Sequence, residues 1–162
     1  MSKPSARSPN PGAARRSAGR LAAVQALYSM EITETGVVEA VDHMRERAEG
    51  GPRAGMAQPD LDLATFLING VNAEEAGLDQ LIGAALTRDW TVDRLEAILR
   101  AILRAGAFEL KDRAQTPTRV AISEYVDVAH AFYSGPEPGL VNAVLDKVAR
   151  VVRAAEFGKG GA

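Results

Sequence analysis

Residues 91–110, TVDRLEAILRAILRAGAFEL, decide the fold expected of this chain. Apolar residues recur at helical spacing from Leu95 to Leu110, and they occupy most sides of the predicted helix rather than one stripe. A helix that is apolar on most sides is stable only when other elements surround it. The stretch therefore predicts a central, largely buried helix with Thr91 as its capping residue.

Amphipathic helices are predicted on both sides of this central helix. After it, Thr116 and Pro117 form a start signal for a helix over 116–132, because a hydroxyl cap precedes a proline that needs no N–H partner. The other predicted helices have apolar residues three or four positions apart and cover 14–34, 37–49, 60–76, 79–86 and 140–153. No segment alternates as a strand would, so an all-α fold is expected.

Both ends of the chain are predicted to lie outside the folded domain. Residues 1–13, MSKPSARSPNPGA, mix proline, serine, glycine and basic residues without an apolar period, which is typical of a disordered arm. Residues 155–162 are predicted to be a flexible tail, which leaves 14–154 as the helical domain.

Charge is unevenly distributed along the 162 residues. Residues 1–30 contain five basic residues and no acidic one, whereas the remainder contains 14 basic and 21 acidic residues, a net formal charge of −7. A basic arm on an acidic body indicates an electrostatic role for the N-terminal region.

Composition excludes several classes of function. The chain has no cysteine, which rules out disulfides, thiolate zinc sites, iron–sulfur clusters and thiol catalysis. It has no apolar run of about 18 residues and no secretory signal, so we expect a cytoplasmic protein that does not bind a membrane. His43 and His130 fall on different predicted helices, and no serine has an adjacent base. We therefore expect no enzyme, no cofactor and no bound metal.

The cationic group at the start of the first helix is the most informative feature. Arg16 and Arg20 are four residues apart and share a helix face, and Arg15 lies beside them. Cations near a helix N-terminus oppose its dipole, so an anionic partner would explain their placement. A role in solubility and an attraction to lipid both stay open as alternatives to that partner.

Aromatic residues mark two further candidate contacts. Phe132 and Tyr133 end a predicted helix beside the loop 134–139, SGPEPG, where a ring can stack on an unpaired base or can instead fill the core. Tyr28 lies in the apolar stripe of the first helix with Leu21, Val24 and Ile32. It is therefore either a core residue or one whose hydroxyl meets a partner.

Four segments in chain order resemble the NusB family of transcription antitermination factors. ARRSAGRLAAVQALYSMEIT (14–33) is similar to the family's opening helix, where Ala-Val-Gln-Ala-Leu-Tyr follows an arginine cluster. ILRAGAFEL (102–110) resembles its central helix, and TPTRVAISEYVDVAHAF (116–132) resembles its Pro-x-x-Val-Ala-Ile-x-Glu helix. LVNAVLDKVARVVR (140–153) is similar to its Val-Asn-x-Val-Leu-Asp-Lys ending.

The resemblance implies an all-α fold of about seven helices in two small packed bundles, and an RNA-binding role in transcription antitermination. It implies that the chain pairs with NusE, a small-subunit ribosomal protein, and that the pair binds the single-stranded boxA element of nascent ribosomal RNA. The pair would suppress termination by the RNA polymerase elongation complex. Some family members form homodimers, so the resemblance also leaves a homodimer of this chain open.

Site residues follow from the resemblance by position. The RNA-binding residues it implies are Arg15, Arg16, Arg20, Arg119 and Phe132. Tyr28 and Arg100 fall in segments that face NusE. Residues 17–19 interrupt the arginine run that family members often carry. Two other functions stay open: a stand-alone NusB-like RNA-binding module in ribosomal RNA maturation, and a helical scaffold that binds protein only.

Overall fold

The computed structural model describes residues 10–52, 54–87 and 89–161, and within them the chain is all-helical. The seven α-helices are α1 (Pro11–Thr33), α2 (Val37–Glu49), α3 (Leu61–Ala85), α4 (Ala97–Asp112), α5 (Thr118–Phe132), α6 (Glu137–Val152) and α7 (Ala154–Gly161). A 3-10 turn, Val92–Arg94, precedes α4. The expected fold class and the number of helices are confirmed.

Helix α4 is the centre of the molecule, as its apolar sequence predicts. It packs against α1, α3, α5 and α6, and ten of its residues are buried. Its start differs from the prediction, because Leu95 and Glu96 are extended rather than helical. Arg100 donates to the carbonyl oxygens of Val92 (3.1 Å) and Leu95 (2.5 Å), which holds this non-helical entry against the first turn of α4.

The helices form two packed groups that share one apolar core. Helices α1, α2 and α3 pack on one another, as do α4, α5 and α6, and α4 joins the groups through its contacts with α1 and α3. The buried residues of both groups belong to one continuous cluster, which includes Val24, Leu67, Ile102 and Leu145. The two expected bundles are therefore halves of a single core.

Two helices predicted over 60–76 and 79–86 are one kinked helix, α3. The backbone at Glu74 is non-helical (φ −114°, ψ 18°), and the helix continues beyond it to Ala85. Leu78 and Ile82 continue the buried face after the kink. Because both halves bury apolar residues against the same core, the kink bends the helix without ending it.

Thr116 does not cap α5 as expected. Pro117 takes the capping position, and none of the described side chains accepts a hydrogen bond there. The hydroxyl of Thr116 instead donates to the Glu109 carboxylate at 2.8 Å, in a position where Thr116 is 3% exposed. A capping hydroxyl has to accept from backbone N–H groups, but the Thr116 hydroxyl oxygen accepts from the Arg113 guanidinium instead.

Both ends of the expected helical domain lie farther out than predicted. The Asn10 side chain accepts from the N–H of Gly12 (2.8 Å) and of Ala13 (3.3 Å), so α1 begins at Pro11, within the predicted arm of residues 1–13. Residues 1–9 of that arm lie outside the described residues. Helical structure continues into the predicted tail of residues 155–162 as α7, whose Phe157 packs against the core with the Arg150 guanidinium 4.6 Å from the centre of its ring.

Candidate nucleic-acid interface

The first turns of α1 present two arginines that the fold leaves open. Arg15 is exposed and Arg16 is half-buried, and neither guanidinium forms an ion pair with any described residue. The carbonyl oxygen of Arg15 accepts from the Asp60 N–H at 2.9 Å, and the Asp60 side chain caps α3 at the Leu63 N–H. The backbone that carries these arginines is thus fixed to the start of α3.

The expectation that Arg20 lies on the same cationic surface is wrong. Arg20 is 2% exposed, and its Nε and Nη2 atoms donate to the two Glu109 oxygens at 2.9 and 2.7 Å. Its Nη1 donates to Glu124 Oε1 at 3.0 Å. The four-residue spacing places Arg16 and Arg20 in one direction from the helix axis, but only Arg20 has α4 and α5 opposite it. Its charge is neutralised inside the protein.

Glu109 is the hub of this buried network. Besides both Arg20 bonds, it accepts from the hydroxyls of Tyr125 (2.7 Å) and Thr116 (2.8 Å). Burial favours the neutral acid, but the Arg20 guanidinium and these donors outweigh burial and hold the pKa of Glu109 below its ordinary value. Burial and the Glu109 charge raise the pKa of Tyr125 well above its ordinary value. The network ties α1, α4 and α5 together.

Sequence reasoning missed Glu109, although a signal for it existed. Glu96 and Glu109 are the two acidic residues between Leu95 and Leu110, the stretch predicted to be the most buried, and Glu109 lies in its most apolar part. An ionised carboxylate in such a position requires a cation or several donors. The partners come from segments 16 and 89 residues away, so the local pattern could not identify them.

Phe132 ends α5 and is 38% exposed. A groove between α1 and α5 is lined by Ala14, Ala131 and residues 55–57. Phe132 and the open arginines lie beside this groove, at the same end of the molecule. Arg15 is the residue after Ala14, and Phe132 is the residue after Ala131. Next to Phe132, the Tyr133 hydroxyl donates to Glu96 at 2.5 Å; burial and the Glu96 carboxylate raise the pKa of Tyr133.

Arg119 is not brought to this surface. It is exposed near the start of α5, 13 residues from Phe132, which corresponds to about 20 Å along a helix. With Ser123, Asn142 and Asp146 it lines a different groove, between α5 and α6. We group Arg15, Arg16 and Phe132, whose neighbours in sequence line one groove, as a candidate surface that we call the cationic–aromatic surface. Arg119 lies outside it.

Tyr28 lies toward the other end of α1, which Arg100 of α4 reaches through Glu31. The Arg100 guanidinium is paired with Glu31, one turn after Tyr28, and with the carbonyl oxygens that precede α4. The Arg100 side chain is only 13% exposed and its charge is already paired, so a partner could contact only the exposed part of the guanidinium group. Nearby, Arg104 pairs with Asp79 at 2.8 Å; burial alone would lower the pKa of Arg104, but Asp79 and two glutamates raise it.

The apolar stripe expected to face the core from α1 is only partly buried. Val24 is fully buried, whereas Tyr28 is 36% exposed and Ile32 is 56% exposed. Tyr28 and Ile32 are four residues apart and so share one side of α1. We call Tyr28, Ile32 and the adjoining Glu31–Arg100 pair the partner surface; sequence reasoning assigned Ile32 to the core instead.

The described residues offer neither a membrane span nor a metal-binding cluster. None of the helices in 10–52, 54–87 and 89–161 combines the length and apolarity needed to cross a membrane. Within the same ranges, no three histidine or carboxylate side chains lie close enough to hold a metal ion together.

Comparisons with known proteins agree on one family. The model of the NusB family matches residues 17–150. Transcription antitermination protein NusB of Rhodospirillum rubrum is 49% identical, covering 90% of this chain and 89% of its own length. The protein of the same name from Brucella ovis is 50% identical and covers 86% of this chain and 82% of its own.

Solved structures show the same fold at lower identity. T. maritima NusB is 24% identical with a TM-score of 0.69, over 83% of this chain and 90% of that one. The antitermination factors NusB and NusE in complex with double-stranded RNA include a chain that is 19% identical with a TM-score of 0.71, over 83% of this chain and 96% of that one.

Proposed function

The chain belongs to the NusB family, and on that premise we propose that it is a transcription antitermination factor that pairs with NusE and binds the boxA element of nascent ribosomal RNA. In this role it suppresses termination by RNA polymerase. The role is regulatory rather than catalytic, and it places the protein in the cytoplasm with the transcription machinery. Relatives about half identical over most of the chain carry the antitermination name, which supports this role.

One observation carries the RNA-binding part of the proposal. Arg15 and Arg16 are cations without an internal partner among the described residues, and they lie at the same end of the molecule as the exposed ring of Phe132. Arginine donors bind phosphate oxygens and base edges, and an aromatic face stacks on an unpaired base. The cationic–aromatic surface therefore fits an extended RNA strand.

The small number of open cations explains why a second protein is required. Each phosphate contact to a single strand contributes about −0.7 to the slope of log K against log salt, so two arginines give a slope of about −1.4. Such contacts alone hold RNA weakly. We propose that NusE docks on the partner surface of Tyr28 and Ile32 and completes the RNA site.

The experiment replaces the two open charges. We expect Arg15→Gln with Arg16→Gln to abolish most binding of a labelled boxA single strand by the NusE-loaded protein, and to reduce the steepness of the salt dependence by about 1.4. Arg119→Gln is the matched control, because it removes an exposed arginine outside the surface. Unchanged RNA affinity in the double variant, with its helical circular dichroism intact, would overturn the proposal.

Two additions to this experiment separate the remaining alternatives. A duplex of the same sequence tests whether the surface prefers single-stranded RNA. A protein-only scaffold would bind NusE but show no salt-dependent RNA affinity with NusE present. A homodimer would cover part of the surface, and light scattering on the same samples measures the oligomeric state.

A further inference from the structure

Glu124 is an acidic residue beside a surface proposed to bind a polyanion. Its side chain is 22% exposed on α5, and it lines the same groove as Ala14 and Ala131. Simple electrostatics predicts that such a carboxylate weakens RNA binding, because it repels phosphate. Its hydrogen bonds indicate a different role.

Both hydrogen bonds of Glu124 reach the first turns of α1. Glu124 Oε1 accepts from the Ser17 hydroxyl at 2.6 Å and from Arg20 Nη1 at 3.0 Å. Within the described residues, these are the direct side-chain hydrogen bonds between α1 and α5. Ser17 is adjacent to Arg16, so the bond fixes the turn that carries the open arginines.

The same residue is rigidly related to Phe132. Both lie on α5, eight residues apart, or about 12 Å along the helix axis. On its other side, α1 is held by the Asp60 N–H, which donates to the Arg15 carbonyl oxygen. Glu124 thus completes a clamp that sets the separation between the arginines on α1 and the ring on α5.

We propose that Glu124 is a positioning residue of the cationic–aromatic surface: it holds the first turns of α1 against α5 so that one RNA strand meets Arg15, Arg16 and Phe132 together. This inference rests on the proposed function of that surface. It reverses the sign expected from charge alone, since removing this carboxylate should weaken RNA binding rather than strengthen it.

The test compares Glu124→Ala with Asp127→Ala in the NusE-loaded protein on a labelled boxA single strand. Asp127 is exposed, lines the same groove and has no ion pair among the described residues, so it is a matched carboxylate without a link to α1. We expect Glu124→Ala to lower RNA affinity about fivefold, a size seen for residues that couple parts of one site. Asp127→Ala should leave the affinity unchanged or raise it. Equal effects of the two variants, or a gain in Glu124→Ala, would overturn the proposal.

A double-mutant cycle with Phe132→Ala separates positioning from general loss of structure. If Glu124 aligns the ring with the arginines, Phe132→Ala should cost less affinity in the Glu124→Ala background than in the wild type. NusE affinity should not change, because the partner surface lies at the other end of α1. Additive losses, or a parallel loss of NusE affinity, would contradict positioning.

Ser17→Ala keeps the test valid if Glu124→Ala fails to fold. It removes one of the two bonds from the α1 side, leaves Arg20 paired, and should reproduce part of the RNA defect; full RNA affinity in this variant would overturn the proposal. A different result would refute the proposed function itself. In that case the wild type would not bind the strand in the presence of NusE, and the Arg15→Gln and Arg16→Gln changes would have no effect.

Discussion

Arg16 and Arg20 show how differently two identical side chains on one helix face can behave. Arg16 is half-buried without an internal carboxylate partner among the described residues, whereas Arg20 is 2% exposed and bonded to Glu109 and Glu124. A buried guanidinium is tolerated only when paired and fully hydrogen-bonded. Arg20 meets this condition: among the described residues, no buried side-chain nitrogen or oxygen lacks a partner. Arg20 therefore serves the fold, and the open arginines are left available to the proposed RNA surface.

The Glu109 carboxylate should be a major determinant of stability. Glu109→Gln keeps the shape but leaves the buried Arg20 charge with Glu124 as its one remaining carboxylate partner among the described residues, so we expect a loss of about 3–5 kcal/mol in the free energy of unfolding. Denaturant unfolding at pH 7 measures this loss. Asp146→Asn is the control, since it breaks the exposed Arg150–Asp146 pair and should cost less than about 1 kcal/mol. Similar losses in the two variants would contradict a structural role for the buried pair.

The same carboxylate should make the fold sensitive to acid. The pKa of Glu109 in the folded state lies below its ordinary value of 4.5, so the unfolded chain binds this proton more readily. The stability from Glu109 is therefore complete above about pH 4.5 and is lost as the pH falls through the lowered folded-state pKa. We expect the melting temperature to fall more steeply below pH 4.5 in the wild type than in Glu109→Gln. Parallel melting curves across this range would count against the assignment.

Helix α1 connects the buried network to the proposed RNA surface. The close packing of α1 against the start of α3 depends on one glycine. A Cβ atom on Gly19 would lie 2.6 Å from the Asp60 carbonyl oxygen, a backbone atom that cannot rotate away. The close approach also brings the Asp60 N–H within 2.9 Å of the Arg15 carbonyl oxygen. Glycine at this position thus sets how closely α1 lies on the start of α3.

Gly19→Ala should push α1 away from Asp60. We expect a loss of about 1–3 kcal/mol in the free energy of unfolding, typical of overpacking, and a weaker RNA affinity because Arg15 and Arg16 shift with the helix. Gly77→Ala on α3 is the matched control; it meets no atom within 4 Å and should stabilise the helix by about 0.5–1 kcal/mol. Chemical denaturation of both variants checks the opposite signs, and equal stability would refute the packing argument.

At the scale of the whole molecule, α1 carries two separate surfaces. Arg15 and Tyr28 are 13 residues apart, or about 20 Å along the helix, so RNA and NusE can occupy their surfaces at the same time. If the two ligands bind cooperatively, the factor by which NusE raises RNA affinity must equal the factor by which RNA raises NusE affinity. The fold therefore allows the protein to act as a bridge between RNA and a protein partner.

Ile32→Ser should separate the two surfaces experimentally. We expect this variant to lower NusE affinity, because it removes an apolar side chain from the partner surface, and to leave the weak binding of RNA by the isolated protein unchanged. Val151→Ser, at another exposed aliphatic residue on α6, should alter neither affinity. Titration calorimetry with NusE and an RNA mobility shift measure the two effects. A loss of RNA binding without NusE present would contradict the separation.

The amino-acid sequence by itself determined the helical class and the central place of α4, because both depend on the local period of apolar residues. Only the tertiary structure decided which residues are available for binding. The helical period gives the direction in which Arg16, Arg20 and Ile32 point, but not whether another element lies opposite. Arg20 meets Glu109 from a segment 89 residues away, Ile32 is 56% exposed, and the kink at Glu74 leaves α3 unbroken. Burial depends on such distant neighbours, and a local pattern does not contain them.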